Sequence, residues 1–141
     1  MANLKYDSFK LGLMKGVHIL DEDTVMVALV TSSYTPSAAH DTYEDITNQV
    51  SGDGYTAGGT PLVNPDTTVV SNVAVFDAED TEWANSTITA RGAILYKYID
   101  DDGSPAANSP LICYFDFGED KVSTSGTFTI AWNAGGILTL A

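Results

Sequence analysis

Ile88-Thr89-Ala90-Arg91-Gly92-Ala93-Ile94-Leu95-Tyr96-Lys97-Tyr98 and Leu111-Ile112-Cys113-Tyr114-Phe115-Asp116-Phe117 are the two runs that decide how this chain folds. Both are dense in β-branched and aromatic residues, which suit a pleated, half-buried surface. Between them lies Asp100-Asp101-Asp102-Gly103-Ser104-Pro105-Ala106-Ala107-Asn108-Ser109-Pro110. Prolines remove ladder donors and adjacent aspartates repel one another, so this stretch reads as a long exposed loop closing an antiparallel hairpin. In the second run Leu111, Cys113, Phe115 and Phe117 share one face, taken as core, with Ile112, Tyr114 and Asp116 on the other. The first run is apolar on both faces, as expected of a central strand covered on both sides.

Working outward, Asp21-Glu22-Asp23 reads as a solvated acidic turn leading into Thr24-Val25-Met26-Val27-Ala28-Leu29-Val30-Thr31, a buried strand by its length and β-branching. The calcium-loop spacing is absent from that acidic cluster. Upstream, residues 6–16 predict a short helix with Asp7 or Ser8 as its cap and Gly16 closing it. Downstream, strands are expected at Thr60 to Val63, Thr67 to Val70 and Asn72 to Phe76, with Pro65 and Ser71-Asn72 as punctuation. Asp77 to Trp83 reads as an acidic stretch beside a core indole, and Gly118 to Ser123 as a turn. Ser125 to Trp132 predicts a further strand, and Asn133-Ala134-Gly135-Gly136 a hairpin turn into Ile137-Leu138-Thr139-Leu140. Seven or eight strands at this spacing predict an all-β, mainly antiparallel β-sandwich or jelly-roll-like single domain over 1–141, with an N-terminal helical segment at 1–16. Residues 32–59 form a long polar, Gly-rich excursion. Tyr34 and Tyr55 are expected there as exposed contact-loop residues, since such excursions often carry binding surfaces.

Six Lys plus Arg against 19 Asp plus Glu give a net charge of −13 over 141 residues. That balance argues against phosphate-contacting nucleic-acid binding and against anionic membrane surfaces. Lys5, Lys10 and Lys15 supply half of the positive charge within the first fifteen residues, and no Lys or Arg follows until Arg91. This marks the N-terminal segment either as an ordinary solvated face or as a surface that docks on an acidic partner, such as a second copy of this chain. The N-terminus has neither the apolar run of a signal peptide nor that of a membrane span, so synthesis as a soluble cytoplasmic chain is expected.

Reactive constellations are missing from the sequence. Cys113 is the single cysteine and falls on the inferred core face; an intrachain disulfide or cysteine-rich metal site is ruled out. His18 and His40 are the only histidines and belong to no zinc spacing, and neither a nucleophile elbow nor a phosphate loop is present. The acids lie in turns rather than as a pair flanking a cleft. The expectation is a protein without enzymatic activity, metal or cofactor.

Four stretches carry a resemblance: Val27 to Pro36, Val50 to Gly59, Ile88 to Arg91 and Gly126 to Asn133. Together they resemble a family of small tailed-bacteriophage virion structural proteins. The resemblance implies a non-enzymatic virion protein of the capsid decoration or cement type, bound as an oligomer to the major capsid protein on the outer head. Two alternatives accompany it: a tail, baseplate or fibre-adaptor component, and a carbohydrate-binding β-sandwich for host attachment with Trp83, Tyr55 or Tyr34 as a stacking platform.

Overall fold

The two decisive runs become β6 (Thr81–Lys97) and β9 (Leu111–Ile130), paired antiparallel. The computed structural model describes residues 3–141, so the first two residues of the N-terminal segment lie outside it. Strand β2 (Val25–Val30) pairs with the other edge of β6, from Val25 opposite Lys97 to Val30 opposite Gly92. The short strands β1 (Leu4–Lys5) and β3 (Thr60–Pro61) flank them, giving the order β1-β9-β6-β2-β3. A second sheet holds β4 (Asp66–Val70), β5 (Val73–Asp77) and β10 (Leu138–Leu140) in the order β10-β5-β4. Two two-residue strands, β7 (Asp100–Asp101) and β8 (Ser104–Pro105), stiffen the acidic loop into a small hairpin. The result is a small all-β, sandwich-like fold with open sheets and one helix, α1 (Asp7–Lys15).

The centre of the main sheet is apolar on both faces. Ala93, Ile94, Leu95 and Tyr96 of β6 and Leu111, Ile112, Cys113 and Tyr114 of β9 are all buried. The one-faced reading of β9 is thereby corrected: Ile112 and Tyr114 are as buried as Leu111, while Phe115 and Phe117 are only partly covered. Cys113 sits where a small hydrophobe fits, and burial pushes its thiol pKa well above the usual range.

Three expected boundaries move. Gly118 to Ser123 is not a separate turn, because Lys121, Val122 and Ser123 pair with Ala90, Thr89 and Ile88. The turn-like composition is absorbed as a register shift between Ala90 and Gly92, with Gly118 at φ +82°. Glu82 and Trp83 likewise belong to β6, opposite Thr129 and Phe128. Finally, β10 does not return to β9: Gly136 turns at φ +111°, the Ile137 N–H donates to the Phe76 carbonyl at 2.7 Å, and β10 joins β5. The bulges curl the β6–β9 ribbon until Phe117 meets Phe128 and Phe115 meets Trp132, with ring centroids 6.2 and 5.4 Å apart.

The excursion over 32–59 is clamped to the sheet. The Val50 N–H donates to the Leu29 carbonyl and the Thr31 N–H to the Asn48 carbonyl, so residues 48–50 continue along the end of β2. The Thr87 N–H donates to the Asp53 carbonyl, and Tyr43 packs at a tilt against Tyr96, ring centroids 5.1 Å apart. After Asp41 a 3-10 turn forms at Tyr43–Asp45, and the Asp45 carboxylate accepts from the Asp41 and Thr42 N–H groups at 2.9 and 3.2 Å. The clamp ends at Gly59, whose φ is +83° and where a Cβ would land on the Val27 carbonyl.

Gly59→Ala would force both a left-handed backbone on an L side chain and a clash with β2 main chain. The expected cost is about 2 kcal/mol or more, read as a lower urea midpoint at unchanged slope. Gly103→Ala, whose φ is also positive but whose Cβ meets nothing, should cost clearly less.

Candidate interaction surface

Helix α1 begins after Tyr6, whose φ/ψ of −69°/145° is extended and whose side chain makes no cap hydrogen bond. The expected caps, Asp7 and Ser8, are already helical. Asp7 in the first turn and Lys15 in the last suit the helix dipole, and Gly16 closes the helix at φ +75°. Within the helix only Phe9 and Gly12 are buried. Leu11, Leu13 and Met14 look outward, and Met14 is 88% exposed.

Leu13 and Met14 form one wall of an apolar groove of about 520 Å³; the opposite wall is the small sheet, through Ala74, Phe76, Leu138 and Leu140. Lys5 and Lys10 stand on its rim. Asp7 pairs with Lys10 at 3.1 Å, and Asp21 accepts a 2.8 Å hydrogen bond from Thr67 in the groove wall. The groove is thus lined by two lysines over an apolar floor, with Asp7 and Asp21 just outside it, bonded to Lys10 and Thr67.

Of the lysines singled out from the sequence, Lys5 and Lys10 meet at this groove, and Lys15 closes the helix beside it. The groove itself was hidden in the sequence because its far wall needs β10 to lie against β5. The available signal was the helix: nine residues with outward Leu11, Leu13 and Met14 leave apolar surface unaccounted for.

Tyr34 and Tyr55 are corrected as exposed contact residues. Tyr34 is 5% exposed; its hydroxyl lies 2.9 Å from that of Tyr6 and 2.8 Å from Nδ1 of His40. Tyr55 is half-buried against Trp83, accepts a hydrogen bond from the Leu29 N–H at 3.0 Å and donates to Gln49. Both phenols have their pKa raised, chiefly by burial. The polar, Gly-rich composition of the excursion concealed this, because its aromatic rings turn inward while its backbone faces solvent. Trp83 is buried between Tyr55 and Phe128, as a core anchor is, so its indole offers no exposed face.

The two histidines serve packing. His40 ends the Tyr6–Tyr34 hydroxyl chain. His18 packs edge-on against Phe9 and covers Gly12, so it seats the helix on the body. Neither ring nitrogen of His18 has a hydrogen-bond partner among the described residues. Close by, Lys97 donates to the Val17 carbonyl at 2.7 Å and pairs with Asp23 at 3.7 Å, tying the segment after the helix to the end of β6. Among the described residues no three His, Cys, Asp or Glu side chains gather into a metal-binding group, and no helix is long and apolar enough to cross a membrane. No family model, no curated protein and no solved structure matches this chain.

Burial lowers the pKa of His18 below 6.5, with Asp23 opposing the shift and Lys97 adding to it. The folded chain therefore resists a proton that the unfolded chain accepts. Its contribution to stability is complete above pH 6.5 and is lost as pH falls from there toward the lower folded value, at a slope of at most about 1.4 kcal/mol per pH unit. Urea melts taken between about pH 7.5 and 5.5 should show this slope, and His18→Leu should flatten it.

Proposed function

We propose that this chain is a non-enzymatic structural protein of a tailed-bacteriophage virion, of the capsid decoration or cement type, bound in many copies to the major capsid protein of the head. The observation that carries the reading is the distribution of chemistry. The lysines of the N-terminal segment rim an apolar groove, while the histidine, cysteine and tyrosine groups that could react are largely spent on packing. Such a surface favours contact over catalysis.

The scaffold suits the role. A strand pair buried on both faces resists deformation, and the excess of 19 acidic over six basic residues keeps the chain from competing for packaged DNA. The stretches that carry the sequence resemblance build this scaffold: Val27 to Val30 in β2, Val50 to Gly59 in the clamp, Ile88 to Arg91 in β6 and Gly126 to Ile130 in β9. The resemblance therefore bears on what holds the fold together. A tail or baseplate role would use the same scaffold in another part of the particle.

Purified chain mixed with expanded, undecorated heads of its own phage should co-sediment saturably, at a fixed ratio to the major capsid protein, and should raise the temperature at which the heads break. Absence of binding to heads overturns the cement reading, and saturable binding to isolated tails would assign the chain to the tail instead.

A further inference from the structure

The geometry points to a second copy of this chain as the occupant of the groove between α1 and the small sheet, the two copies meeting face to face across a two-fold axis. This rests on the reading of the chain as an assembly protein and names the partner of its groove.

Three observations select that occupant. First, knob and hole lie on the same face. Met14, 88% exposed, and Leu140, 66% exposed, project beside a groove of about 520 Å³ floored by Phe76 and Leu138. A two-fold contact requires a patch that complements itself, and a flexible thioether beside an apolar groove meets that requirement. Second, Lys5 and Lys10 line the groove, and Asp7 and Asp21 bond to two of its lining residues, Lys10 and Thr67, so both signs lie close to it and a half-turn can set each against its opposite. Third, two chains of net charge −13 repel almost everywhere. Lys5 and Lys10 lower that repulsion at this face. A purely acidic partner would answer Lys5 and Lys10 but leave Asp7 and Asp21 facing like charge.

The test uses the purified full-length chain alone, by sedimentation equilibrium across the micromolar range. The expected result is a reversible monomer–dimer equilibrium. Met14→Asp should weaken it by about tenfold or more, because it puts a charge into a desolvated apolar contact. Val122→Asp is the control: Val122 is 65% exposed on β9 and lines no part of the groove, so it adds the same charge elsewhere and should leave the equilibrium within about threefold of wild type. Lys5→Glu combined with Lys10→Glu should weaken association as well. These positions are exposed, so circular dichroism of each variant should match wild type.

A wild-type chain that stays monomeric, or that forms species larger than a dimer, overturns the proposal. So does a Met14→Asp chain that associates like wild type, or a Val122→Asp chain that loses association equally. Head binding is scored separately: a monomer that still decorates heads overturns the two-fold contact alone, and a dimer that ignores heads overturns only the cement reading.

Discussion

The hydrogen-bonded ladder between β6 and β9 passes through the middle of the molecule, and each other part is placed by reference to it. One edge of β6 receives β2, and the outer edge of β9 receives β1 at Tyr114 and Cys113. The paired centre is apolar above and below, so neither face can be left to water. The excursion over 32–59 closes one region by lying along β2 and over Ser86 and Thr87. Side chains such as Ile94 and Leu95, fully buried here, each contribute about 2 kcal/mol relative to exposure. The bulges matter as much as the pairing. Ser86 accommodates one of them, its hydroxyl meeting the Trp83 and Gly126 carbonyls and the Ser123 hydroxyl, so the kink leaves its buried polar groups satisfied.

The groove is a by-product of how the remaining elements attach. A nine-residue helix can bury only a narrow stripe, and Phe9 with Gly12 fills it. The small sheet is joined to the core through Phe76, Ile137 and Leu138, which leaves Ala74 and Leu140 on a wall that no element among the described residues covers. An apolar cleft between two modestly anchored elements is the outcome. The two lysines that line it set positive charge beside that cleft in a chain that is otherwise strongly acidic.

Local chemistry made much of this architecture readable in advance. The central hairpin, β2, the helix with its Gly16 terminus and the strands on either side of Ser71-Asn72 follow from period, β-branching and turn residues. Ser71 and Asn72 both take positive φ, at 50° and 68°, as a two-residue hairpin turn requires. What could not be read is what depends on residues far away. Whether Gly118 to Ser123 turns or pairs is decided by β6, not by its own glycine and acids. The partner of β10 is decided by the free edge of β5, from Ala74 to Phe76, far away in the chain. The inward aim of Tyr34 and Tyr55 depends on Tyr6, Leu29 and Gln49, residues from β2, the clamp and the chain entering α1. For the candidate surface, the lysine cluster was visible from the sequence; the apolar floor beneath it was not.

The acidic loop also orders events in time. It joins β6 to β9 across 13 residues, from Tyr98 to Pro110, and β7–β8 narrows it further. Aligning β2 with β6 instead requires closing more than sixty residues, from Val30 to Gly92. On loop-closure entropy alone that difference is worth roughly 1 kcal/mol in favour of the hairpin, before any packing is counted. The ladder is thus the least costly long pairing for an unfolded chain to attempt, and the segments that arrive later find a template already laid down. A fold whose central ladder closes over a short loop can begin from the middle and be finished from both ends.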